Sequence, residues 1–224
     1  MRMPSEHRFR EIEIKLRVSS LREVHTTLRR LHAREISPRT HEFNTLYDTP
    51  SQDLRRRGQL IRLRTEHATG NSKKKRVRGP APAILTYKGP IRSSRRGERA
   101  QAGANSRSRF KVKEEAEASV IGVDQMDRIL RGLGLRPTFH YEKYRTTYLL
   151  PRIEGLKVEL DETPVGDYLE LEGTPSGIDR AAALLGYTRS EYIQATYGAL
   201  YLADCKRRGR KPGDMLFQNA KKLR

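Results

Sequence analysis

The 224-residue chain has no tryptophan, and its single cysteine, Cys205, rules out an intramolecular disulfide framework and any cysteine-based zinc cluster. No apolar run approaches the roughly 20 residues of a membrane-spanning helix. The charged N-terminus MRMPSEHRFR lacks the apolar stretch of a secretory signal. There is no short-period repeat, Walker A loop, Gly-x-Ser-x-Gly elbow or His-Glu-x-x-His helix. The six histidines show no metal-ligand spacing. These absences lead to the expectation of a soluble, cytoplasmic protein that makes no membrane contact.

Acidic residues are also scarce. The 27 Asp+Glu face 46 Lys+Arg, a formal charge of +19 that points to an anionic partner. The excess is concentrated. Residues 67–113 hold 14 Lys+Arg and one acid, Glu98, while residues 205–224 hold eight and one acid, Asp214. The rest is close to neutral, so the expected organisation is one domain over residues 1–205 and a basic tail over 206–224. His67–Ala83 and Arg92–Ser108 are rich in Gly, Pro, Ser and Arg without hydrophobic period. They are expected to be long loops between strands, and with the tail they could contact nucleic acid.

Capping patterns predict four helices. Ser20 and Glu23 form a capping box, Asp124 opens a second helix and Thr174-Pro175 starts a third. Thr188 and Glu191 open a fourth, whose Tyr192, Tyr197 and Tyr201 are expected to cover a core. Between them the period changes to two, predicting strands over 9–17, 42–48, 59–66, 83–89, 108–118, 138–149, 155–162 and 167–173.

These strands carry charge at every second position. Glu11, Glu13 and Lys15 alternate with Ile12, Ile14 and Leu16. Arg62 and Arg64 oppose Ile61 and Leu63. Thr86 and Lys88 oppose Leu85 and Tyr87. Arg109, Lys111, Lys113, Glu115 and Glu117 form one row; Lys143 with Arg145, and Glu159 with Asp161, form two more. Tyr168, Glu170 and Glu172 oppose Leu169 and Leu171. A solvated sheet face explains any one strand. Repetition with both signs of charge favours an α+β fold in which an eight-stranded antiparallel barrel turns its charged faces inward and its apolar faces under helices. Cations alone would bind phosphate and acids would repel it, so the mixture suits a polyanion bridged by Mg²⁺ or Mn²⁺. Glu-x-Glu on a strand sets two carboxylates about 7 Å apart on one face.

Taken in order, these residues resemble the CYTH superfamily, the triphosphate tunnel metalloenzymes. Glu11-Ile-Glu-Ile-Lys15 is similar to its ExExK signature, and Tyr47-Asp48-Thr49 to its Tyr/Phe-Asp-Thr turn. Leu63-Arg64 after Arg62, Thr86-Tyr-Lys88, Lys113-Glu-Glu115-Ala-Glu117, Lys143-Tyr-Arg145, Glu159-Leu-Asp161 and Glu170-Leu-Glu172 follow over residues 9 to about 202. The resemblance implies a tunnel barrel holding a triphosphate with Mg²⁺ or Mn²⁺. Glu11, Glu13, Glu170, Glu172 and Asp161 would be metal ligands. Lys15, Arg62, Arg64, Lys88, Lys143 and Arg145 would bind the triphosphate, and Lys113, Glu115, Glu117 and Glu159 would be further tunnel positions. Lys113 stands where the family has Arg. The implied activity is that of a class IV adenylyl cyclase, which makes cyclic AMP and pyrophosphate from ATP. The alternatives are a triphosphatase and a non-catalytic polyphosphate- or RNA-binding module. Monomer and homodimer both stay open.

Overall fold

A computed structural model describes residues 10–69, 82–91 and 109–218. Its strands are β1 (Arg10–Val18), β2 (Arg34–Asp48), β3 (Leu60–Ala68), β4 (Pro82–Gly89), β5 (Lys111–Ile121), β6 (Arg136–Leu149), β7 (Lys157–Thr163) and β8 (Gly166–Glu172). They close into an antiparallel barrel in the order β1-β5-β4-β3-β2-β6-β7-β8. The helices are α1 (Leu21–Arg30), α2 (Asp53–Arg56), α3 (Val123–Gly132), α4 (Pro175–Leu184) and α5 (Tyr197–Arg207). None of the described helices is long and apolar enough to cross a membrane.

Strict alternation sends the charged rows inward and the apolar rows beneath the helices, as expected. Ile14, Leu16, Leu169 and Leu171 are fully buried against Val24 and Leu28 of α1 and Ile178, Ala181 and Ala182 of α4. Leu63 and Ile61 pack under Leu130 and Met126 of α3. Two caps form as read: Ser20 Oγ accepts from the Glu23 amide at 3.3 Å and Thr174 Oγ1 from the Gly177 amide at 3.1 Å.

Four local expectations need correction. β2 starts at Arg34 instead of 42, because bulges between Glu35 and Thr40 absorb Pro38, which has no N–H for a regular ladder. His67, Ala68, Pro82 and Ala83 belong to strands and the Thr69 amide bonds the Arg39 carbonyl; the rest of the two expected loops, 70–81 and 92–108, lies outside the described residues. Arg109 leaves the charged row and pairs with Asp179 of α4 at 3.0 Å. The fourth helix does not run on from its capping box, where Glu191 accepts from the Thr188 amide at 2.8 Å. Only a 3₁₀ turn, Arg189–Glu191, forms there. β1 pairs with β5 only as far as Glu13, and the vacant edge beyond takes Ile193, whose amide and carbonyl bond those of Lys15 at 2.8 and 2.9 Å. Helix resumes at Tyr197 after the Thr196 cap.

Beyond α5 the chain returns to the barrel. β6 pairs with β7 only from Tyr144 onward. The open edge before it takes Met215, which exchanges backbone bonds with His140 and Glu142 at 2.9 and 3.0 Å. Met215 is fully buried with Tyr141, Tyr168 and Tyr197. Met215→Ala is therefore expected to cost at least about 2 kcal/mol of unfolding free energy, as buried Met truncations do. Denaturant titration checks this, and an unchanged midpoint would mean the segment only rests on the barrel.

Candidate functional site in the barrel interior

The barrel encloses a cavity of about 290 Å³. Its wall carries eight cationic side chains (Lys15, Arg62, Arg64, Lys88, Lys111, Lys143, Arg145, Lys157) and seven carboxylates (Glu11, Glu13, Glu115, Glu117, Glu159, Glu170, Glu172). On one side, Lys88 Nζ lies 2.7 Å from both oxygens of Glu11 and 3.1 Å from Glu115. Lys111 reaches Glu13. Lys15 Nζ bridges Glu170 at 2.7 Å and Glu13 at 3.0 Å. Arg145 forks onto Asp161, with Nε and Nη2 each at 2.6 Å, and also meets Glu159 and Glu170. Across the barrel, Arg62 Nη2 donates to Thr86 at 3.1 Å and Glu117 at 3.3 Å.

Burial and charge pull these acids apart. Burial, with Glu13 and Glu115 alongside, outweighs Lys88 and pushes Glu11 up to about 8. Burial also raises Glu159 to about 7 despite Arg145. For Glu13, burial is overcome by Lys15 and Lys111, which hold it far below the usual range. Glu170 is likewise held low against burial by Lys15, Arg145 and Lys143. Two ordinary-looking Glu-x-Glu pairs thus contain one strongly ionised acid each.

Every expected site residue lines this cavity except two. Lys113 turns out at the end of β5, where its Nζ donates to the Gly58 carbonyl at 3.1 Å, and Lys111 supplies the cation inside. Asp161 lies behind the wall, fully buried. Its two oxygens already accept from Arg145, from Lys143 Nζ at 3.0 Å and from the Tyr197 hydroxyl at 2.6 Å. In this arrangement it holds the cations Lys143 and Arg145 in place. The sequence reading missed Glu42, a buried acid held down to about 2: burial opposes this, but Lys143, Arg145 and Arg64 prevail. On β2 the residues at alternate positions from it are Thr40, Asn44 and Leu46, so no charged row marked it. It also missed Lys157, and Tyr197 as a wall residue: Tyr197 packs in the expected apolar core with Tyr141, Tyr168 and Met215 and also faces the cavity. Asp48 of the Tyr-Asp-Thr turn serves structure: it caps α2 by accepting from the Leu54 and Arg55 amides at 2.9 and 3.0 Å.

A divalent cation fits the donor set. The carboxylates are hard oxygen ligands, and Glu13 stands directly across from Glu172 between β1 and β8, two residues from Glu11. Among the described residues no three acids are already drawn together around a vacant centre; each is held by a cation instead. Eight cations face seven carboxylates, of which Glu11 and Glu159 are raised towards neutrality, so the wall keeps a net positive charge for an anion. Arg62 Nε is buried with no acceptor among the described residues, a donor left for an anion.

A closed eight-stranded barrel with a mixed-charge interior defines a tunnel protein of the triphosphate-binding type. The CYTH domain model matches residues 10–189, and the chain belongs to that family, whose members act on triphosphates with divalent metals. Solved structures share the fold. A candidate adenylate cyclase from Vibrio parahaemolyticus has 15% identity and a TM-score of 0.65, covering 86% of this chain and 97% of that one. A Pyrococcus horikoshii protein has 20% identity and a TM-score of 0.64, covering 87% and 99%. A conserved hypothetical protein of Pyrococcus furiosus has 18% and 0.60, covering 84% and 97%. No curated protein matches the chain.

Proposed function

We propose that this protein is a divalent-metal-dependent enzyme acting on the triphosphate of ATP, and specifically an adenylyl cyclase that releases cyclic AMP and pyrophosphate. The observation that carries the triphosphate reading is the enclosed wall of eight cations interleaved with seven carboxylates. The observation that favours a nucleotide over bare tripolyphosphate is the uncharged part of the same wall. Leu46, Leu60, Phe139 and Tyr141, with Thr196 and Gly198, offer an apolar and aromatic surface beside the charges.

In this reading Glu11, Glu13, Glu170 and Glu172 hold the metal, which when bound screens the phosphates and polarises the phosphorus under attack. Lys15, Arg62, Arg64, Lys88, Lys143 and Arg145 grip phosphate oxygens and neutralise charge that develops on the leaving pyrophosphate. The 3′-hydroxyl oxygen bonds to the α-phosphorus as the bond to the β-phosphate oxygen breaks. Glu159, raised towards neutrality, is the lining carboxyl suited to take the hydroxyl proton. Incubation with ATP, tripolyphosphate or thiamine triphosphate and Mg²⁺ or Mn²⁺, followed by product analysis, tests the reading. Cyclic AMP with pyrophosphate supports it, whereas ADP with phosphate assigns a triphosphatase.

Arg64→Ala and Lys88→Ala should each weaken binding of a non-hydrolysable ATP analogue by about 1.5–3 kcal/mol, the loss of one charge-assisted hydrogen bond. Calorimetry reads this directly, and unchanged affinity in both would remove the β3–β4 wall from the phosphate site.

A further inference from the structure

We infer that Tyr197 is a positioning residue, which sets the phosphate-binding geometry of Lys15, Lys143 and Arg145 from the first turn of α5. The inference rests on the triphosphate reading of the tunnel. Tyr197 is buried and forms part of the tunnel wall. Its hydroxyl donates to Asp161 Oδ2 at 2.6 Å, the carboxylate onto which Arg145 forks and to which Lys143 is bonded at 3.0 Å. Its ring lies 5.0 Å from Lys15 Nζ and 5.3 Å from Lys143 Nζ, within the range of cation–π attraction. One side chain thus touches, directly or through Asp161, every phosphate-binding cation on β1 and β6. It touches none on β3 or β4.

The residue is itself firmly placed. Its ring meets Tyr168 edge-on at 5.7 Å. The chain before it is pinned to β1 by the Ile193–Lys15 backbone pair, and Met215 packs in the same apolar cluster. A tyrosine held this rigidly keeps long lysine stems in one geometry before ligand arrives, which lowers the ordering cost of binding.

The asymmetry between the two walls makes the inference testable. In the triphosphate reading a triphosphate should engage cations of both walls, whereas a diphosphate should be met by Arg62, Arg64 and Lys88 alone. In a chelator, with calorimetry on the full chain, Tyr197→Phe should keep the fold and ring but lose the hydroxyl. Tripolyphosphate affinity should fall about tenfold, and pyrophosphate affinity less than about threefold. Tyr197→Leu, which also removes the ring, should lose more affinity for tripolyphosphate. Tyr201→Phe is the control, since its hydroxyl on the same helix bonds Asp214 and Gly213 away from the tunnel; it should leave both affinities unchanged. Equal falls for both ligands in Tyr197→Phe, or the same change in Tyr201→Phe, would show that Tyr197 only stabilises α5 and would overturn the inference. Wild-type protein that binds no tripolyphosphate would overturn the triphosphate reading and this inference together.

Discussion

Glu11→Gln should lower metal-dependent turnover by about a thousandfold, a loss matching the several kcal/mol a bound divalent cation contributes at 1.4 kcal/mol per tenfold. The same variant should bind a triphosphate more tightly without metal. Glutamine keeps the shape and the hydrogen-bonding capacity, but it removes the charge that a hard cation needs. It also weakens the hold on Lys88, whose Nζ sits 2.7 Å from both Glu11 oxygens, and frees that ammonium for phosphate. Glu172→Gln should act in the same direction with a smaller metal-free gain, because Glu172 is more exposed and holds Lys157 at 3.2 Å. A rate assay with Mn²⁺ beside titration of a non-hydrolysable ATP analogue separates the two effects. Full activity in both variants would make these carboxylates structural.

Arg145→Ala should strike stability as well as binding. The guanidinium lies among Asp161, Glu159, Glu170 and Glu42, all buried or nearly so. Removing it leaves four acids short of their shared cation, and breaking a buried ionic network in this way costs about 3–5 kcal/mol. That is a large share of the roughly 5–15 kcal/mol by which a domain is stable. Arg145→Lys keeps the charge but cannot reproduce the two-pronged bond to Asp161, so it should fall between wild type and alanine. Denaturant midpoints decide this. An alanine variant as stable as wild type would mean that water or neighbouring lysines compensate the acids.

The barrel was legible because its strands announce themselves twice, by apolar residues on one face and charge on the other. Ile12-Glu13-Ile14-Lys15 can be satisfied only by a sheet with two different environments, and the structure provides them. The same alternation could not distinguish neighbouring positions in a row. Lys111 and Lys113 share a face and a charge, yet Lys113 lies where β5 meets the barrel rim and turns out to Gly58. Asp161 sits in register with the tunnel rows, but the four hydrogen bonds it accepts come from three distant residues that no local pattern reveals. Tyr197 carried an ordinary helical-core signal. Its place in the wall follows from the incomplete pairing of β1, which draws the chain into an extended segment before α5 begins. Long-range vacancies of this kind have no signature in sequence period.

The central claim is that the mixed-charge tunnel turns over a nucleoside triphosphate only when a divalent cation joins its carboxylates. The direct measurement is product analysis of ATP incubated with this chain and Mn²⁺ or Mg²⁺, with and without excess chelator, beside Glu11→Gln. The account predicts cyclic AMP and pyrophosphate from wild type with metal, no product with chelator, and about a thousandfold slower turnover from the variant. Turnover that persists in chelator, or ATP bound but unchanged with either metal, would contradict it.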